Sequence, residues 1–332
     1  MPIKNYGVIL EPLQETTYLF GRATKVVDNI TLSEPDWFRY LTDGEEQAGL
    51  YFDSLGCVSF SGLNSVESII EYQLQNHMIH GENIQWLQMN GYFNSRGRFE
   101  CSDRFTAKMS GTTKKGNSGE RVGNSMRHNG LIPEARWPFP NRQQTPVFDW
   151  DDYYQEIPQE LIDLGKEFVK RIDVQYEAVV NFDTDDLKKA LLHSPLQVYV
   201  HAWGKTVGGV FQRTDKVINH AVTLFKPEWN IRDHYKLEDI FDKQLVGDFN
   251  FYPVAMKYTV TSKSTMRRLI KGDQNERVYF LGSDNKLYHI GGTESFDEGQ
   301  RAGLWGNWGE IEILPQVEAD AFTKGNVIGF IS

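Results

Sequence analysis

The stretch SLGCVSFSGLNSVESII, residues 54–70, decides the fold of this chain. A glycine turn leads into Cys57, and apolar residues then recur at three- and four-residue steps, which predicts a helix with a buried face. Cys57 therefore lies in the first turn, where unpaired N–H groups and the positive end of the helix dipole are concentrated. This environment is expected to lower the pKa of the thiol and favour a thiolate nucleophile. A cysteine that only packs in the core is the alternative.

The composition limits the partners of the chain. It has 332 residues, a formal net charge of −10 and an isoelectric point of about 5.4. This acidic balance argues against a nucleic-acid partner and against electrostatic binding to an anionic membrane. The N-terminal residues lack the pattern of a signal peptide, and the apolar runs are too short to span a bilayer, so we expect a cytoplasmic protein.

The chain has two cysteines, Cys57 and Cys101. A single disulfide would add little to a chain of this length, and pairing would remove Cys57 as a nucleophile. We therefore expect both to be free thiols in a reducing compartment. The sequence contains no cysteine and histidine grouping with zinc spacing, so we predict neither a metal nor another cofactor.

Hydrophobic patterns divide the chain into a helical first half and a β-rich second half, without alternation of strands and helices. This predicts the α+β class. An arm of residues 1–46 precedes the Cys57 helix, and a small β-rich appendage follows residue 260. The patterns predict helices at residues 84–92, 122–129, 158–172 and 187–193, and strands at 196–202, 217–225, 229–231 and 255–260.

A histidine and a carboxylate follow Cys57 in the order expected of a cysteine acyl-transfer enzyme. His220 begins a predicted strand, and histidine is the side chain suited to pair with a thiolate near neutral pH. Asp233 arrives at the end of the next predicted strand. Its carboxylate could fix the orientation of the imidazole, although a surface aspartate at a strand end is common.

Several short motifs resemble those of the papain-like cysteine peptidases. They are CVSFS at residues 57–61, NGLIPE at 129–134, SPLQV at 194–198, NHAV at 219–222 and WNIRDHY at 229–235. The resemblance implies a two-lobed fold with a helical lobe and a β-barrel-like lobe. Its domain spans residues 47–260, between the arm of residues 1–46 and a small β-rich domain of residues 261–332.

The resemblance also implies roles for particular residues. Cys57, His220 and Asp233 are expected to be catalytic, with Asp233 standing where the family has asparagine and so shifting the pH optimum. The glutamine of the family's oxyanion hole aligns with Tyr51, and Gln47 would reach that position with a local insertion. The substrate-binding residues implied are Ser110, Gly111, Asn219 and Trp229.

Three functions remain open at this point. The first is a cysteine peptidase that hydrolyses a peptide or protein substrate through an acyl-enzyme on Cys57. The second is a weakly active or inactive papain-like component, in the manner of bacteriophage-encoded members, assembled into a virion with other structural proteins. The third is another Cys-His-Asp acyl transferase, such as a transglutaminase-like or cell-wall amidase fold.

Two further features lead to expectations. The N-terminal arm is expected to limit access to the cleft between Cys57 and His220. In the C-terminal domain, Phe296, Trp305 and Trp308 form an aromatic group that either binds sugar or peptide or serves as core.

Overall fold

The computed structural model describes most of the chain. The described residues are 5–21, 26, 28–48, 52–139, 149–180, 183–214, 217–237, 240–247, 249–263, 269–274, 276–281, 286–291, 293, 295–297, 311–316 and 323–324. Tyr51, Trp305 and Trp308 lie outside these residues. The chain forms two compact units, one of residues 1–78 with 87–261 and one of residues 79–86 with 262–332. The predicted division into residues 1–46, 47–260 and 261–332 stays a prediction.

Seven α-helices occur in the described part of the chain. They are α1 (Cys57–Gln75), α2 (Gly81–Asn90), α3 (Asp103–Met109), α4 (Gly119–Asn129), α5 (Trp150–Tyr153), α6 (Gln159–Arg171) and α7 (Thr184–Leu191). Local chemistry fixes several of their ends. The Ser102 side chain accepts a hydrogen bond from the N–H of Phe105 at the start of α3, and Gly130 ends α4 with a positive φ of 71°.

Helix α1 is buried along most of its length. It packs against α3 and α4 on one side and against strands of the large sheet on the other. Val58, Leu63 and Val66 are fully buried, as the three- and four-residue spacing predicts. Three of its buried serines donate to carbonyl oxygens within the helix: Ser61 to Cys57 at 2.7 Å, Ser65 to Ser61 at 3.0 Å and Ser68 to Asn64 at 2.7 Å.

The first unit contains an eight-stranded sheet with the order β1-β8-β2-β5-β6-β7-β4-β3. Its strands are β1 (Ile172–Val180), β2 (Leu196–Val200), β3 (Thr206–Val207), β4 (Val210–Phe211), β5 (His220–Lys226), β6 (Asn230–Leu237), β7 (Ile240–Leu245) and β8 (Val254–Ser262). β5 and β6 are antiparallel, with Thr223 opposite Arg232. This register brings the start of β5 and the middle of β6 together, which positions the candidate site.

The second unit has its own five-stranded sheet, with the order β12-β9-β10-β11-β13. The strands are β9 (Leu269–Gly272), β10 (Val278–Leu281), β11 (Lys286–His289), β12 (Glu312–Leu314) and β13 (Thr323–Lys324). Leu269, Ile290 and Phe296 form a core cluster, with Phe296 fully buried. Phe296 therefore serves as core rather than as an exposed binding residue. The sequence also predicts a hairpin of residues 277–281 and 286–290, and its turn at residues 283–285 lies outside the described residues.

None of the described helices combines the length and the apolar character that a bilayer crossing requires.

Candidate active site

His220 and Asp233 are in direct contact in the candidate site. His220 is the first residue of β5, and its Nε2 lies 2.6 Å from Oδ1 of Asp233 on the neighbouring strand β6. Both side chains are fully buried. Burial alone raises the pKa of Asp233, but the charges and hydrogen bonds of His220 and Lys243 outweigh it and hold that pKa below its usual range. Asp233 is therefore a carboxylate that fixes the imidazole ring.

The other imidazole nitrogen is available for chemistry. Nδ1 of His220 is buried and has no hydrogen-bond partner among the described residues. Cys57 lies nearby, because the backbone N–H of Ala221, the residue after His220, is close enough to the sulfur to lower the pKa of the thiol. The start of α1 is held against the sheet by the Gln197 side-chain amide, which donates to the carbonyl of Val58 at 2.6 Å. Cys57, His220 and Asp233 are thus brought together by the fold.

The pKa of the Cys57 thiol differs from the sequence-based expectation. The side chain is fully buried, and this burial raises the pKa well above the ordinary value of a thiol. The charges of Asp53 and Asp233 raise it further, while the N–H of Ala221 lowers it. The expectation of a lowered pKa, drawn from the helix N-terminus, was therefore wrong, because desolvation outweighs the dipole.

Gln47 also lies in this cluster. Its Nε2 is 2.7 Å from the hydroxyl of Tyr235, 3.0 Å from the carbonyl oxygen of Tyr6 and 3.1 Å from Oδ1 of Asp53. Its backbone N–H donates to the carbonyl of His234 at 3.0 Å, which ties this residue to β6. The fold therefore supplies an amide donor beside Cys57 and His220, and its role in an oxyanion hole stays a prediction.

Residues 5–9, here called the N-terminal segment, cross the candidate site. The N–H of Tyr6 donates to the carbonyl of Asn219 at 2.9 Å, immediately before His220. The Tyr6 ring lies 5.1 Å from the His220 ring and 5.0 Å from the Tyr235 ring, measured between centroids. Asn117 holds the next residues, with its N–H donating to the carbonyl of Gly7 and its carbonyl accepting from the N–H of Ile9.

The remaining predicted substrate-binding residues have different surroundings. Ser110 is buried, and its hydroxyl oxygen accepts from the side-chain amide of Asn117 at 2.8 Å, so it supports the residue that holds the N-terminal segment. Gly111 is exposed and has a φ of 78°. Trp229 lies in the turn before β6, at the far end of the β5–β6 hairpin from His220, and donates to the carbonyl of Gly247 at 2.6 Å. Their substrate-binding roles stay predictions.

Tyr6, Asn117 and Lys243 belong to this cluster, and the sequence-based prediction did not include them. Residues 240–245 read IFDKQL and do not alternate apolar and polar side chains, so no strand pattern marks Lys243. No local sequence pattern indicates a role for Tyr6 or Asn117 either, because their roles depend on contacts between distant parts of the chain.

Three further observations describe the residues at and around the site. Burial lowers the pKa of His234 to about 3, so this neighbour of Asp233 stays neutral and does not compete with His220 as a base. Cys57 and Cys101 are both free thiols, as predicted. Within the described residues no group of at least three histidine, cysteine, aspartate or glutamate side chains could hold a metal ion.

Comparisons with known proteins give matches among solved structures. No protein-family model matches the chain, and no curated protein matches it. Xylellain, a cysteine protease from Xylella fastidiosa, has a TM-score of 0.48 and 14% identity, over 78% of this chain and 96% of that one. The ragweed pollen cysteine protease Amb a 11, in its proform, has a TM-score of 0.43 and 14% identity, over 73% of this chain and 69% of that one.

A clostridial cysteine protease, Cwp84 after propeptide cleavage, is also similar. Its TM-score is 0.45 at 13% identity, over 73% of this chain and 61% of that chain. All three structures are cysteine proteases. Because the identities are 13–14% and the TM-scores lie below 0.5, the function of this chain is argued from its own residues.

Proposed function

We propose that this chain is a papain-like cysteine endopeptidase, with Cys57 as nucleophile and His220 as base. One observation carries the proposal: Asp233 holds Nε2 of His220, so that Nδ1 is left without a partner beside the strand residue that contacts the Cys57 sulfur. A thiol, an imidazole whose second nitrogen is not hydrogen-bonded and an orienting carboxylate are the parts that acyl transfer requires.

The proposed reaction follows from these positions. Nδ1 of His220 accepts the thiol proton, and the sulfur attacks the carbonyl carbon of a peptide bond. The imidazolium then gives its proton to the leaving amine, which leaves an acyl-enzyme on Cys57. A water molecule, deprotonated by His220, hydrolyses the thioester and restores the thiol.

The negative charge that develops on the substrate carbonyl oxygen during the attack also needs hydrogen-bond donors. In the proposal these are the side-chain amide of Gln47 and the N–H groups of the first turn of α1. Gln47 already donates to a peptide carbonyl, that of Tyr6, at 3.0 Å. The amide is thus able to hold a backbone oxygen beside the catalytic pair.

Labelling with an epoxysuccinyl probe, together with cleavage of fluorogenic peptides, tests the proposal. The probe is expected to modify Cys57 selectively and to inhibit peptide cleavage, and His220→Ala should lower both rates by roughly a hundredfold or more. Cys101 is the internal control, because it is another fully buried thiol whose pKa is raised by burial. Equal labelling of the two cysteines, unaffected by His220→Ala, would contradict the proposal.

The N-terminal segment is proposed to regulate this site. It is hydrogen-bonded to Asn219 on the sheet side and to Asn117 before α4, and the Tyr6 ring covers His220. Cys57 and His220 are fully buried with the segment in position. A substrate therefore has to displace residues 5–9 before its carbonyl can approach the sulfur.

This coverage also favours a second candidate function, a papain-like component with little or no catalysis. The two candidates differ in one outcome. If removing the N-terminal segment from the site leaves Cys57 as unreactive as Cys101 in a folded protein, the inactive component is supported. Assay of peptidoglycan fragments beside peptides separates a peptidase from a cell-wall amidase. A cytoplasmic location, a bacteriophage origin and partners in a virion stay predictions.

A further inference from the structure

The two oxygens of the Asp233 carboxylate have different partners. Oδ1 faces His220 and also accepts from the backbone N–H of His234 at 2.7 Å. Oδ2 accepts from the indole N–H of Trp203 at 2.9 Å and lies 2.8 Å from Nζ of Lys243. One side of the carboxylate thus holds the imidazole, and the other side holds a cation.

Lys243 is an unusual residue to find in this position. Its side chain is only 4% exposed, whereas lysine almost never lies fully buried unless it is paired. β7 pairs with β6 in the register that sets Lys243 opposite Ile231, which brings the ammonium group to Asp233. Nζ also donates to the carbonyl of Tyr235 at 2.7 Å, so the backbone of β6 and the carboxylate together fix its position.

The combined charge of Asp233 and Lys243 affects the electrostatic environment of the His220 ring. A lone buried carboxylate beside an imidazole strongly favours the protonated ring, whereas a carboxylate joined to an ammonium group has no net charge. We propose that Lys243 is a positioning residue, which acts through Asp233 to make the group behind His220 a neutral hydrogen-bond acceptor, as an asparagine would be. The inference rests on the proposed function, because only there does His220 act as the base.

Within the described part of the chain, the other groups placed around His220 carry no positive charge. Cys57 approaches it from α1, Tyr6 from the N-terminal segment and Tyr235 from β6. Asp53 lies behind Tyr235 and accepts from its hydroxyl. Trp203 meets the His220 ring edge to face, with centroids 5.8 Å apart. Among these groups the positive charge comes from Lys243.

The test compares Asp233→Asn with the double variant Asp233→Asn/Lys243→Met. Asp233→Asn alone leaves the ammonium unbalanced, so His220 should take up its proton at a pH lower by about one unit than in the wild type. The double variant restores a neutral acceptor and should return the titration to the wild-type position. Lys243→Met alone should move the titration in the opposite direction, to higher pH.

The readout is the NMR titration of the His220 ring in a Cys57→Ser background, with its signal identified by its loss in His220→Gln. This measurement does not require peptide cleavage, so it can succeed or fail independently of the proposed function. In an active enzyme, the limb of the pH profile of kcat/KM that reports the imidazole should shift in the same directions. Identical titrations of Asp233→Asn and the double variant would overturn the inference, and so would an unshifted Lys243→Met that folds.

Discussion

At Cys57 two effects on the pKa of the thiol oppose each other. The residue begins α1, where the helix dipole favours a thiolate, yet its side chain is fully buried. Burial is the larger effect and raises the pKa of the thiol. The proton therefore stays on the sulfur in the covered site, and the nucleophile has to be generated by transfer to Nδ1 of His220.

Glu67 in α1 is another residue whose environment opposes its usual charge. It is 4% exposed, and its carboxyl accepts from the N–H of Cys101 at 2.7 Å and from the hydroxyl of Thr42 at 3.1 Å. Burial, followed by the charge of Glu45, raises its pKa well above the ordinary value despite these hydrogen bonds. The folded protein thus holds a proton that the unfolded chain releases near its usual pKa.

This linkage predicts how stability depends on pH. The contribution of the protonated Glu67 is complete below the unfolded pKa of about 4.3 and declines by about 1.4 kcal/mol per pH unit above it, until the pH reaches the folded pKa. Glu67→Gln cannot lose a proton, so its free energy of unfolding should fall less between about pH 5 and about pH 8. Urea unfolding at several pH values measures the slope.

The matched control for Glu67→Gln is Glu160→Gln, which removes an exposed carboxylate at the start of α6. It should leave the slope of stability against pH close to that of the wild type. Equal slopes for Glu67→Gln and the wild type would mean that Glu67 is already ionised in the folded protein.

Among the helices and strands, the sequence patterns located α1, α2, α4, α6 and α7 and the strands β2, β5, β6 and β8, but they missed others, among them α3, β1, β7 and β9. The predicted helix of residues 158–172 ends at Arg171, and the chain enters β1 directly at Ile172. No glycine or proline separates α6 from β1, so the sequence carries no local stop signal there. β7 follows β6 after a short connection, and its pairing with β6 is what defines it.

The N-terminal segment makes a testable prediction through Gly7. This glycine has a φ of 114°, and an added Cβ would collide with the carbonyl of Leu55, two residues before Cys57. Gly7→Ala should therefore displace the segment without changing a catalytic side chain. We expect peptide turnover and probe labelling of Cys57 to increase by roughly tenfold or more, given a clash and backbone strain of at least about 1.4 kcal/mol.

Gly21→Ala is the control for this prediction. Gly21 lies in the same arm and has a φ of 76°, but nothing lies within 4 Å of the position that its Cβ would take. The Gly21→Ala variant therefore introduces the backbone strain without the steric clash, and it should leave the turnover of peptide substrates unchanged. Unchanged turnover in a folded Gly7→Ala protein would mean that the segment does not restrict the site. Deleting residues 1–40 is a poorer test, because it also removes the fully buried Trp37.

At the scale of the whole molecule, the two units do not follow the order of the chain. Residues 79–86, which contain the first part of α2, belong to the second unit with residues 262–332. The side-chain amide of Asn83 donates to the carbonyl of Lys263 at 2.7 Å and to the hydroxyl of Ser262 at 3.0 Å. An internal segment of the chain is thus held by its C-terminal part.

A chain truncated after Thr261 should consequently lose order at residues 79–86. We expect faster amide hydrogen exchange in that segment, measured by mass spectrometry, because its hydrogen-bond partners have been removed. Helix α4, in the first unit, should keep its protection and serves as the control. Unchanged protection at residues 79–86 would mean that they are stable without the second unit.

The local features of this protein follow from its amino-acid sequence. The spacing of apolar residues after Cys57 predicts α1, and the alternation after Pro195 predicts the strands that carry His220 and Asp233. These features could be predicted because helix and strand periodicity depends on neighbouring residues. The order of Cys57, His220 and Asp233 similarly indicated the type of chemistry, and the structure brings the three together.

The electrostatics and the accessibility of the site depend on how the folded chain is packed. The raised pKa of Cys57, the pairing of Lys243 with Asp233 and the position of Tyr6 on His220 all depend on contacts between residues far apart in sequence. Burial and charge–charge interactions depend on distance in space and on the exclusion of water. Sequence periodicity gives neither the distance between two residues in space nor the exclusion of water around them. These properties therefore arise only when the helices, the sheet and the N-terminal segment are packed together.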